Sequence, residues 1–143
     1  MLFSEATGRP VVATDVARRV GSVADLVVDP HARRVVALRL QHKVHGADTL
    51  LWHDLTAFGT DAVTVASASR IVPTPDSLER LAGAPGKLLR KRLLTADGDD
   101  LGTVDNAEFD NSTGEITSLI VGNTTVDGKR LQGCGTFAVV VAA

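Results

Sequence analysis

His42-x-x-His45, followed by His53-Asp54, comes nearest to a metal site in this 143-residue chain, because imidazoles three residues apart can share an ion and a carboxylate can complete its coordination. No cysteine joins them, and His42 and His45 fall in a polar stretch that reads as a hairpin loop, where an exposed histidine needs no metal to explain it. Asp97, Asp99, Asp100 and Asp105 have the chemistry of calcium ligands but lack the late bidentate glutamate of a helix-loop-helix site, and a solvated turn accounts for them. Lys87-Leu88-Leu89-Arg90-Lys91-Arg92 is the densest basic run. It has the charge to meet RNA or anionic lipid; read structurally, it is a charged edge strand that resists pairing with other chains. Cys134 stands between two glycines with no basic neighbour in sequence, so nothing there points to a nucleophilic thiol. Trp52, the one tryptophan, follows two leucines and reads as a packing residue of the core or of an interface inside the molecule. No strand-nucleophile-helix elbow supports hydrolase chemistry. The chain is therefore read as non-catalytic, with no catalytic, cofactor-binding or metal residue assigned and no cofactor expected. Whether His42, His45 and His53 hold a metal is left open by the sequence.

Composition excludes some tasks. Fifteen basic against seventeen acidic side chains give a formal charge of −2, whereas proteins built to neutralise phosphates carry a clear basic excess. Residues 1–75 carry a net +1 and residues 76–143 a net −3, so neither half is a polyelectrolyte. With no tyrosine, one tryptophan and four phenylalanines, little is available for bases to stack on, and a nucleic-acid partner is disfavoured. One cysteine and no apolar leader before Ser4 and Glu5 suggest a reducing, cytoplasmic setting. No apolar run reaches the roughly 20 residues of a membrane-spanning helix, so any membrane contact is expected to be peripheral or through a partner.

The elements that must position these residues occur twice. Val20-Gly21-Ser22-Val23, then Asp29, Val35, Leu38 and Leu40, reappears as Leu101-Gly102-Thr103-Val104, then Asp110, Ile116, Leu119 and Val121, with Gly21 and Gly102 lying 81 residues apart. A repeat that long is a pair of small domains. Strands are expected at Pro10–Ala13, Val23–Asp29, Val35–Leu40, Leu50–Trp52 and Ala62–Ala66, and again at Leu93–Thr95, Val104–Asp110, Glu115–Val121, Thr124–Val126 and Thr136–Val141, a spacing that reads as barrel or sandwich. Gly21 and Gly102 interrupt strands where a bulge or a close backbone approach would bend them. Between the repeats, Thr74 as cap, Pro75 in the first turn, acidic Asp76 and Glu79, and Gly83 as stop predict one helix. The expected organisation is a first unit over 1–72, a linker with a short helix over 73–86, and a second unit over 87–143. Each unit is small enough to need the other, or a further copy, to complete its core.

Gly8-Arg9-Pro10-Val11-Val12, the run from Val20 to Asp29, Val35 to Leu40, Leu51-Trp52-His53-Asp54-Leu55 and Asp61 to Val65 resemble the PRC-barrel family. The second unit fits through Leu93-Leu94-Thr95, Asp97-Gly98, Leu101 to Val104, Asp110, Gly114-Glu115-Ile116 and Phe137 to Val141. It departs by placing Asp105 and Asn106 opposite Ala24 and Asp25, and by showing Leu131-Gln132-Gly133-Cys134-Gly135 where the first unit has Trp52-His53-Asp54. The family occurs in the cytoplasmic part of the photosynthetic reaction-centre H subunit and in the C-terminal half of the ribosome maturation factor RimM. The resemblance implies a mostly β fold of two small, strongly bent PRC-type barrels in tandem. It also implies a protein-binding adaptor or scaffold with a protein partner or self-association as a homodimer, or, as an alternative, a ribosome- or RNA-processing-associated factor. The expected interaction surface is the groove between the two units.

Overall fold

A computed structural model describes residues 1–143. The first unit begins with a single helical turn, α1 (Phe3–Ala6), followed by β1 (Pro10–Ala13), β2 (Arg18–Asp29), β3 (Arg34–Val44), β4 (Ala47–Leu51), β5 (Leu55–Phe58) and β6 (Val63–Val65). These strands form one curled sheet in the order β4-β3-β2-β1-β6-β5. Its first and last thirds meet through a parallel pairing that sets Val11 beside Val63 and Ala13 beside Val65. Those four side chains are fully buried, which is why the apolar runs at the two ends of the unit end up adjacent.

The second unit repeats the plan with β7 (Arg92–Thr95), β8 (Asp100–Thr103), β9 (Asn106–Phe109), β10 (Ile116–Val121), β11 (Thr124–Asp127), β12 (Leu131–Cys134) and β13 (Ala138–Val141). Its strands run β11-β10-β9 and β12-β13-β7-β8, the order of the first sheet cut in two where β2 is continuous. The parallel closure recurs, with Leu93 beside Val139 and Thr95 beside Val141. The chain is thus mostly β, built from two barrel-like units.

Three expectations change. The helix between the units is a 3₁₀ turn at Asp76–Leu78 running into α2 (Glu79–Ala82), and Thr74 bonds the Thr49 hydroxyl at 2.7 Å instead of capping it. The strand expected at Val104–Asp110 is shorter, Asn106–Phe109: the Val104 amide donates to the Lys91 carbonyl at 2.8 Å, away from β10, while the Asp105 carboxylate accepts the Gly122 amide at 2.6 Å. Trp52-His53-Asp54 lies in a 3₁₀ turn after β4, and its counterpart is Gly128-Lys129-Arg130, in a 3₁₀ turn at the same point of the second unit, not Leu131–Gly135. The longer β3–β4 hairpin of the first unit, which carries His42 and His45, shifts the alignment there.

The interrupting glycines behave as expected. β1 and β2 slip register beside Gly21, and β7 and β8 slip beside Gly102. A side chain on Gly21 would meet the Leu40 terminus at 3.0 Å; on Gly102 it would meet Val121 at 2.8 Å, the same contact in each copy. Gly102 also sits at φ +114, a conformation that side chains resist.

The units share one interior. A single cluster of 26 buried residues runs from Val11, Leu38 and Leu50 into Leu93, Leu119 and Val139. At its centre Phe109 meets Phe3 at 5.6 Å, Phe58 at 5.5 Å and Trp52 at 6.3 Å, so three phenylalanines and the tryptophan bridge both halves. The segment Met1–Ser4 leaves its own unit to lie along β9, with Leu2 opposite Glu108 and the Phe109 amide donating to Met1 at 2.8 Å. α2 in turn rests on the first unit, Ala82 packing with Val27 and Ala37.

The two units meet backbone to backbone at equivalent turns. Val35 donates to the Gly114 carbonyl at 2.7 Å and Ile116 donates to the Arg33 carbonyl at 2.8 Å, so Arg34 lies opposite Glu115, its own repeat equivalent. The arrangement is an internal two-fold, the isologous contact of a homodimer made within one chain. Arg33 and Gly114 both adopt positive φ to make it, and at Gly114 a side chain would come within 2.9 Å of the Val35 carbonyl.

A shared core predicts one unfolding transition. Trp52 fluorescence and far-ultraviolet circular dichroism are expected to give the same urea midpoint, and two separated midpoints would show autonomous units. Gly102→Ala is expected to cost about 1–3 kcal/mol from its positive φ and the Val121 overlap, and Gly21→Ala less than half of that, because only the mobile Leu40 tip must move. Equal costs in the same titration would contradict this assignment.

Candidate functional site

α2 and the two-fold joint hold apart two walls of an open cleft of about 540 Å³. Pro30 and His31 of the β2–β3 turn form one side, with Arg80 and Leu81 of α2 beside them. Leu94, Ala138 and Val140 come from β7 and β13 of the second unit, and the β12–β13 hairpin from Gly133 to Phe137 completes the rim. Phe137 is 81% exposed, the one phenylalanine outside the aromatic core. It projects from the tight turn that closes when Gly135 donates to Ala138 at 3.0 Å.

The position of α2 is set by Arg39. Its guanidinium reaches the Ala82 carbonyl at 3.5 Å and the Asp48 carboxylate at 2.9 Å. Burial alone would push the Asp48 carboxyl up, but the Arg39 hydrogen bond and charge, aided by the Thr49 hydroxyl, outweigh it and hold the group below the ordinary aspartate value.

Cys134 turns its thiol inward to the carbonyls of Pro85 and Lys87, each at 3.4 Å. Sequence neighbours showed no base there, yet the fold brings Lys91 Nζ to 3.6 Å. Burial pushes the thiol pKa up against the pull of Lys91 and Arg80, which keeps it protonated and hydrogen-bonded rather than nucleophilic.

The other candidates are dispersed. His45 takes a positive-φ turn position, and His53 faces solvent 3.7 Å from Asp54, which also meets Arg70 at 3.3 Å. No three His, Cys, Asp or Glu side chains converge at metal-binding distance. Asp97 is exposed in the β7–β8 turn, while Asp100 pairs with Arg92 and accepts the Gly102 amide at 2.8 Å, contacts that lower its carboxyl.

The basic run is not an edge strand. Residues 87–91 form an extended connection and turn, with Leu88 buried, and Arg92 opens β7 in the interior of its sheet. Lys87 pairs with Asp25 at 3.4 Å, Lys91 holds the carbonyls of Ala84 and Pro85 at 2.7 and 3.0 Å, and Arg92 holds Asp100. Sequence patterning had no means to single out Arg80, Leu81 and Phe137, which the topology brings together from distant segments.

Loss of the Arg39–Asp48 pair is expected to be pH-dependent. The folded-state carboxyl is more acidic than the unfolded one at about 3.8, so its contribution is complete above that value and disappears as pH falls through the lower folded value. Asp48→Asn is expected to cost about 1–2 kcal/mol at pH 7, moderated because Arg39 is one-third exposed, and the difference from the parent protein should shrink toward pH 3. Urea titrations of both proteins at the two pH values check this.

Residues 1–70 match the family model described as PRC-barrel domain. No curated protein matches the chain. The matched span ends at the close of the first unit, just after β6 and its following turn. It covers the curled sheet with its parallel closure, which makes residues 1–70 of this protein a PRC-barrel domain.

Proposed function

We propose that this chain is a non-catalytic, cytoplasmic PRC-barrel protein that works as a protein-binding adaptor or scaffold through the cleft between its units. The observation that carries this reading is Phe137, a large apolar side chain left in solvent at the rim of a cleft whose floor is also apolar. Other features agree. Asp105, Asp100 and Lys91, three of the polar side chains singled out in the sequence, hold backbone groups. The second unit is read as a second PRC-type barrel, with residues 1–72 and 87–143 flanking a linker over 73–86. Its support is the repeated strand order, the repeated parallel closure and the matched glycine bulges.

A photo-crosslinking residue at position 137, in cells producing the full chain, tests the reading against a control at exposed position 16. The expected result is a discrete protein adduct from position 137 that survives nuclease and is absent from position 16. Adducts lost on nuclease treatment would instead support the ribosome- or RNA-associated alternative. Equal labelling at the two positions would remove the cleft as the binding surface.

A further inference from the structure

The charges around the cleft are of one sign. Among its lining side chains the cations are Arg80 and, when protonated, His31; no carboxylate faces it. Arg80 stands there although the segment it belongs to, residues 76–143, carries more acidic than basic side chains. Arg33, Arg39, Arg70, Arg92 and Arg130 each hold a carbonyl or carboxylate, whereas the exposed Arg80 guanidinium has no such partner. An unpaired cation above an apolar floor is complementary to a ligand with negative charge on an otherwise apolar body.

The shape of the rim narrows the ligand further. β12 is the outermost strand of its sheet, and its Gly133-Cys134-Gly135 end lines the cleft. Open space surrounds the positions where side chains of Gly133 and Gly135 would stand, so another backbone can approach closely there. Leu81, Leu94, Val140 and Phe137 offer apolar contacts along the same cleft.

We propose that the occupant is an extended segment of a partner protein in which carboxylates alternate with apolar residues. Its backbone lies beside Gly133 and Gly135, its apolar side chains cover Leu94, Val140 and Phe137, and its carboxylates meet Arg80 and His31. Such a segment combines strand-like docking with pockets for alternate side chains, and its charge sets specificity. This inference rests on the adaptor reading and adds the chemistry of the partner.

The test is selection of a displayed random dodecapeptide library on the full-length chain, followed by affinity measurement of the recovered synthetic peptides by fluorescence anisotropy. The expected peptides are enriched in Asp or Glu alternating with apolar residues and bind more weakly as salt rises. Arg80→Glu is expected to weaken them about tenfold or more, and replacing their Glu residues by Lys should restore binding to that variant. Phe137→Ser should also weaken them. Both sites are on the surface, and unchanged circular dichroism and thermal midpoint confirm that each variant folds.

Neutral or basic peptides that still depend on Phe137 would overturn the acidic partner while leaving the adaptor reading in place. Peptides indifferent to both substitutions, or none recovered, would count against both. Concentration-dependent self-association abolished by Arg80→Glu in sedimentation would overturn the proposal by identifying a second copy of this chain as the occupant.

Discussion

Everything in the molecule is organised around two hydrogen bonds, Val35 to Gly114 and Ile116 to Arg33, that join equivalent turns of the repeat. Each turn offers one donor and one acceptor, and an antiparallel approach satisfies both at once. The geometry demands positive φ at Arg33 and Gly114. In the second copy glycine meets that demand without strain, and its missing side chain lets the indole of Trp52 approach. In the first copy an arginine accepts the strain, and its Nε donates to the Leu131 carbonyl at 2.8 Å, a further tie across the same joint. The aromatic cluster and the crossing of Met1–Ser4 onto β9 then follow from having the two units at this distance.

The repeat and the bulges at Gly21 and Gly102 were legible because both are local: a bend in a strand needs a glycine at a fixed offset from the bulge, whatever surrounds it. The strands β5, β8 and β12 were not, since Leu55–Phe58, Asp100–Thr103 and Leu131–Cys134 are short and lack clean alternation, and pairing partners define them. The basic run from Lys87 to Arg92 misled for a related reason. Its cations look like a continuous surface in sequence, but Lys87, Lys91 and Arg92 are each drawn to a separate acceptor contributed by another segment.

The cleft shows the same division. That a groove would lie between the units followed from the duplication, because two small curved bodies in contact leave concave space beside the joint. Its chemistry depends on α2 being turned so that Ala82 faces Val27 while Arg80 and Leu81 face the cleft, an orientation fixed by Arg39 and Asp48. Sequence patterning alone does not specify which face of so short a helix is buried.

The excursion of Met1–Ser4 onto β9 has a consequence for how the chain acquires its structure. The Ser4 amide reaches the Asn106 side chain 102 residues further along, and the parallel closures likewise pair Val11 with Val63 and Leu93 with Val139. Contacts so distant along the chain give a high contact order and slow folding. During synthesis the segment at residues 1–4 has no partner until β9 has emerged, so the first unit passes through a period in which its apolar residues Phe3 and Phe58 await Phe109. Assembly of this protein therefore ends with the joining of its two halves rather than with the completion of either.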